Sequence, residues 1–155
     1  MSLEKQTIID IGSNIGVSAI YFLSRNRLNR IVCVEPDPEN ISVLVRNLAQ
    51  FSGRYFCIAE ACSAENYGQI SFYLSDDGKY NSLLEIPGLH SQMIVEAVAV
   101  SEIFNRATEV FSSDKLTVKI DIEGIEKEVL SAIPEKYVVL IDKIYAEALG
   151  VGECV

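Results

Sequence analysis

The stretch IIDIGSNIGVSAI, residues 8–20, limits what this chain can fold into more than any other. A β-branched apolar run ends in Asp10, Gly12 and Gly16 bracket a short loop, and a new apolar pattern with helical spacing begins at Val17. A strand running into a helix through such a turn builds the ligand crevice of an open α/β sheet. Gly12 permits the sharp turn, and Gly16 lets a ligand or strand approach the helix closely. A dinucleotide site needs G-x-G-x-x-G to cradle a pyrophosphate at the helix N-terminus. Here the spacing is G-x-x-x-G with Asn14 at its middle, and the loop holds no Lys or Arg. The loop suits a nucleotide-like ligand that carries no phosphate.

The same alternation continues downstream. Thr7–Ile11 reads as a strand, 17–28 as a helix, and Arg30–Glu35 as a second buried strand. Asp37 caps a helix that starts at Pro38, with Glu39 in its first turn. Ile41, Leu44, Val45, Leu48 and Phe51 give that helix one apolar face, Gly53 closes it, and 55–59 is the third strand. Strand and helix alternating at this spacing predict an α/β fold with a parallel sheet. Residues 64–100 depart from the rhythm and read as a β-rich insertion. Within it, 69–74 is a strand, DDGK a turn and NSLLEI a return strand; Pro87 and Gly88 break the chain before a strand at 94–100. A helix over 101–111, a strand over 116–122, a helical face from Ile125 to Ile133 and a last strand over 138–146 follow. The 155 residues fit a single domain.

Acids outnumber bases 22 to 13, a net charge of -9 that repels phosphate backbones and argues against a nucleic-acid partner. The four cysteines lack metal-ligand spacing, and His90 is the single histidine. Cys33 and Cys57 lie in apolar runs, as reduced core thiols do, which fits a cytoplasmic protein. Neither an export leader nor a membrane span is expected.

Two further segments carry chemistry. Glu35 ends an apolar strand, 23 positions after Gly12, where a carboxylate can accept hydrogen bonds from both ribose hydroxyls. The other reading is that it lies in a loop, or joins Asp37 in capping the next helix; Gly12 and Gly16 in register favour the ribose. In VKIDIEGIEKEVL, residues 118–130, Val118, Ile120 and Ile122 alternate with Lys119, Asp121 and Glu123. Polar alternation in a central parallel strand is expected where its carboxyl end opens on a cleft, beside the opening loop; an exposed edge strand with a solvated face is the other reading.

DIGSNIG, VEPDP and KIDIEGIEKEVL, in that order, resemble the FkbM family of S-adenosylmethionine-dependent methyltransferases, whose forms of these segments are D-hydrophobic-G-A-N-x-G, E-P-x-P and K-I-D-hydrophobic-E-G-x-E. EACSAENYGQISFY and NSLL look like the family's third-strand exit and the hairpin after it. The resemblance spans Thr7 to about Glu147 and implies a Rossmann-like class I methyltransferase fold. It implies S-adenosyl-L-methionine as cofactor, held by Asp10, Gly12, Asn14, Gly16, Glu35 and Pro36, with Cys62 and Ser63 along the adenine. It implies a small-molecule, sugar or lipid hydroxyl as acceptor. Asp121 is the expected base or acceptor-positioning group, Glu123 the second choice, and Lys119 the balancing charge. Glu147 would complete a carboxylate cluster, but no spacing rule demands a metal there.

The related fold closes with a helix and a reversed hairpin after its fifth strand, and this sequence ends before them. The last strand then offers an unpaired edge, from which a homodimer is expected. Two other functions stay open at this point: a cofactor-binding scaffold without turnover, and an NAD-dependent oxidoreductase, against which the absent G-x-G-x-x-G argues.

Overall fold

The computed structural model describes residues 4–65, 68–74, 91–112, 114–122 and 124–146. Its centre is a sheet of five parallel strands, β1 (Thr7–Ile11), β2 (Arg30–Val34), β3 (Tyr55–Ile58), β7 (Leu116–Ile120) and β8 (Ile141–Ala146). Their order across the sheet is β3-β2-β1-β7-β8. The chain runs outward from β1 through β2 to β3 and later returns to β1's other side, so a topological switch falls between β1 and β7.

Strand alternation sorts the side chains onto two faces. Ile9, Ile11, Val118 and Ile120 point to a core completed by Ile103, Phe104 and Ala107 of α3 (Val100–Val110), Val129 of α4 (Glu126–Ser131) and Tyr137 of α5 (Glu135–Val138). Ile8, Ile31 and Cys33 point to the other core, covered by Ala19 and Leu23 of α1 (Val17–Arg25) and Leu44 of α2 (Pro38–Asn47). Helices on both faces explain why β1 is buried at all five positions.

A second, three-stranded sheet stands beside the first. It comprises β4 (Ala61–Ser63), β5 (Gly68–Leu74) and β6 (Ser91–Ala99) in the order β4-β6-β5, with β4 parallel and β5 antiparallel to β6. Arg106 of α3 bonds both Glu102 and Glu60, which fixes the α3 surface to the β3–β4 link.

Several boundaries differ from expectation. The first helix stops at Arg25 rather than residue 28, because Asn26 turns to extended backbone and Arg54 takes the carbonyls of Leu23 and Asn26. The second ends at Asn47 and tightens into a 3-10 turn over Ala49–Phe51. Strand β7 ends at Ile120, leaving Asp121 and Ile122 in the loop beyond it. The expected last strand over 138–146 begins only at Ile141, since Tyr137 anchors the short helix α5 in the core and Val138 completes that turn. Strand β4 went unread because three residues carry too little pattern. The DDGK turn, the NSLLEI strand and His90 lie outside the described residues.

Candidate active site

The opening loop is shaped by three left-handed residues, Gly12 (φ 83°), Asn14 (φ 47°) and Gly16 (φ 86°). A Cβ on Gly12 would stand 2.0 Å from the backbone oxygen of Asp121, so only glycine lets the loop cross the end of β7 this closely. At Gly16 the close neighbour is Leu44 of α2, at 3.2 Å from such a Cβ, and not a strand. The amides of Gly12 and Ser13 both donate to the Val34 carbonyl at 3.0 Å, and the Ser13 hydroxyl donates to the Asp10 carbonyl. Asn47 of α2 holds the far side of the loop through the Ile15 carbonyl.

Glu35 lies just past β2 and is buried. One carboxylate oxygen accepts the Asn14 amide at 2.9 Å; the other accepts the Asp37 amide at 3.0 Å and the Asn40 side chain at 3.3 Å. Burial raises its pKa, and these three bonds work against that rise. The carboxylate therefore joins the β2–α2 corner to the opening loop while facing a cleft. Asp37 caps α2 as its position foretold, accepting the Glu39 amide at 2.8 Å.

The charged row across the sheet was visible in the sequence only as separate residues. Asp10 pairs in register with Lys119, and Lys119 with Tyr145 of β8. Asp10 is fully buried beneath the loop, bonded by the Ser18 hydroxyl of α1 and 3.2 Å from the Lys119 ammonium. Burial raises the Asp10 pKa, against the pull of Lys119 and Ser18. Lys119 also reaches Asp121 at 3.0 Å. Burial alone would lower the Lys119 pKa, but the two carboxylates outweigh it and the net shift is upward. Asp121 is 44% exposed at its side chain and stands where the ends of β1 and β7 meet the solvent.

The cleft on one side of this junction has a volume of about 690 Å³, counting its open mouth. It gathers Gly12, Asn14, Glu35, Pro36, Cys62 and Asp121 from the sequence-predicted set. Asp10 and Gly16 support the loop from beneath and behind; Ser63 is buried in β4, its hydroxyl 3.5 Å from the Val98 carbonyl. Glu123 and Glu147 lie outside the described residues. Sequence reasoning missed Asn40, Phe72, Ile122 and Ile125, which also line the cleft. Asn40 had a readable signal, one turn into a helix whose cap was already placed; Phe72 had none, because β5 reaches the cleft only through the second sheet. Burial pushes the Cys62 thiol up to about 12, so it serves as an apolar wall and not as a nucleophile.

Among the described residues, no Lys or Arg lines this cleft. Among the described residues no group of three or more His, Cys, Asp or Glu side chains is placed to hold a metal ion, and no helix is long and apolar enough to cross a membrane. The cleft thus combines a carboxylate at the corner, polar loop atoms and an apolar wall, a lining chemically suited to a ligand with both hydroxyls and an apolar ring.

Comparison with known proteins gives two findings. Residues 10–147 match the sequence profile of the methyltransferase FkbM domain. Among solved structures, the chain is similar to the crystal structure of a proposed RNA methyltransferase from Pyrococcus horikoshii, at 18% identity and a TM-score of 0.47. That match covers 93% of this chain and 50% of the other, so this chain spans half the length of its structural relative. No curated protein matches it.

Proposed function

Because the chain belongs to the FkbM methyltransferase family, we propose that its cleft binds S-adenosylmethionine and that it methylates a hydroxyl on a small molecule, sugar or lipid. The observation that carries this reading is the buried Glu35 carboxylate facing a cleft that no cationic side chain among the described residues lines. Those residues fit the cofactor: Glu35 accepts three hydrogen bonds and has acceptor capacity left for a ribose hydroxyl, and Phe72, Cys62 and Ile125 offer an apolar wall to the base. When bound, S-adenosylmethionine supplies an electrophilic methyl carbon, the carbon–sulfur electron pair staying on sulfur as the methyl passes to the acceptor oxygen.

The chain's own work is alignment and proton removal. Asp121 is half exposed at the cleft's inner end and takes the acceptor's hydroxyl proton. Lys119 holds that carboxylate in place and is itself held by Asp10 beneath the loop. Gly12 brings the loop against the Asp121 backbone, whose amide donates to the Ile11 carbonyl at 2.9 Å.

Calorimetry with S-adenosylhomocysteine tests the reading. Saturable binding is expected, with Asp121→Asn keeping that binding and losing methyl transfer by about 10²-fold or more. No binding by the intact chain overturns it. We also propose a homodimer through the exposed edge of β8; a monomeric mass by light scattering at working concentration would remove that part alone.

A further inference from the structure

A second cavity opens on the other side of the loop, and the cofactor reading does not use it. It measures about 1320 Å³, again counting its open mouth, and shares Gly12, Asn14 and Asp121 with the first cleft. Its inner end is polar, with Ser18, Lys119 and Asp121. Its outer walls are Ile15, Val17, Tyr21 and Phe22 from the loop and α1, and Tyr145 from β8.

Those walls are unusually apolar for solvent-facing positions. Val17 is 66% exposed and Tyr21, one helical turn on, is 56% exposed. The Phe22 ring lies 5.4 Å from Tyr21 and 6.0 Å from Tyr145, so the aromatic rings form a connected surface. Among the described residues, the side-chain charges lining the cavity are Lys119 and Asp121, already paired with each other. A ligand with many hydroxyls would find few partners on these outer walls.

We propose that this cavity is the acceptor subsite and that it takes a neutral aryl compound with one hydroxyl, of the phenol class. The inference rests on the methyl-donor reading above and names its substrate class. The aryl body lies against Val17, Tyr21 and Tyr145, and the hydroxyl reaches Asp121. A carboxylate is a weak base, so an acceptor with a hydroxyl near the phenol range (about 10) suits it better than an aliphatic alcohol. The Lys119 ammonium stabilises the oxyanion as it forms. The proton passes from the phenol oxygen to Asp121 and on to solvent. That oxygen bonds the methyl carbon, the carbon–sulfur bond breaks with its electrons left on sulfur, and an aryl methyl ether and a neutral thioether result.

The test is calorimetry with 2-naphthol, 1-octanol, methyl α-glucoside and S-adenosylhomocysteine on the intact chain, Val17→Asp and Tyr21→Ala. Val17 is the first residue of α1, where an acid favours the helix, so Val17→Asp is expected to fold. Saturable naphthol binding that weakens at least tenfold in Val17→Asp and Tyr21→Ala, with S-adenosylhomocysteine binding unchanged, is the expected result. Naphthol binding that both variants leave intact overturns the subsite. Octanol or glucoside bound as tightly as naphthol overturns the aryl class. A dimer that Val17→Asp dissociates assigns the face to a second copy and overturns the proposal as well. Loss of S-adenosylhomocysteine binding in the intact chain, with naphthol still bound and sensitive to Val17→Asp, supports the subsite while removing the methyl-donor reading.

Discussion

Strands β1 and β8 both pair in parallel with β7, one on each side, yet they sit in opposite environments. β1 is buried along its whole length, with a helical layer on each face. β8 is exposed at five of its six positions, and among the described residues it is one edge of the sheet. The lesson is that parallel pairing alone buries nothing; layers on both faces do. The buried side holds the loop that shapes the first cleft, and the open side carries Tyr145, which lines the second cavity.

The largest expected effect comes from making one substitution on both strands. Ile9→Ala removes a fully buried side chain and should cost about 3–4 kcal/mol in urea unfolding. Ile144→Ala, at a position 50% exposed, should cost less than about 1 kcal/mol. Equal losses would break the contrast.

Lys119→Met tests the link between the two strands. It leaves Asp10 buried without its cation and should cost about 3 kcal/mol at neutral pH, the lower end for a broken buried pair because Lys119 is partly exposed. The sign of the pH dependence follows from Asp10. Burial already raises its folded pKa above 3.8, and losing Lys119 raises it further. The folded variant then holds a proton that the unfolded chain lacks, so its stability should recover as pH falls through that raised value toward 3.8. In the intact protein Lys119 contributes fully below 10.5, and its contribution is lost only as pH rises through its raised value. A variant that weakens steadily with acid would show that Asp10 is not the group relieved.

The smallest effect concerns the cleft alone. Glu35→Gln should weaken S-adenosylhomocysteine binding by about 1–3 kcal/mol, read by calorimetry. The pKa of Glu35 is raised, so binding to the intact protein should fall on acidification from above the ordinary value of 4.5. The glutamine variant should lack that limb. A limb that survives the substitution assigns the titration to another group.

Much of the fold was legible residue by residue. Thr7–Ile11, the Asp37 cap and the start of α2 stand where the pattern put them, because apolar alternation and a capping side chain act within a few residues. The cleft was legible through Gly12, Asn14, Glu35 and Asp121, each a residue type with a local reason at a strand end. Glu35 lies just past its strand, where it lines the cleft and also accepts the Asp37 amide. Lys119 was read as a charge balancing Asp121, and its second partner, Asp10, escaped notice. Two charges inside neighbouring apolar strands were the available signal, since a buried charge requires a partner.

The sequence by itself determined the order of the five strands of the parallel sheet, the loop that only glycine or asparagine fits easily, and the family to which the chain belongs. Those features depend on local backbone sterics and side-chain periodicity, which short segments encode. Tertiary structure decided that Gly12 yields to Asp121 and Gly16 to Leu44. It also decided that Asp10, Lys119 and Tyr145 align across three strands, and that Phe72 reaches the cleft from a second sheet. Such contacts join residues tens of positions apart, and their register is set by how whole layers pack.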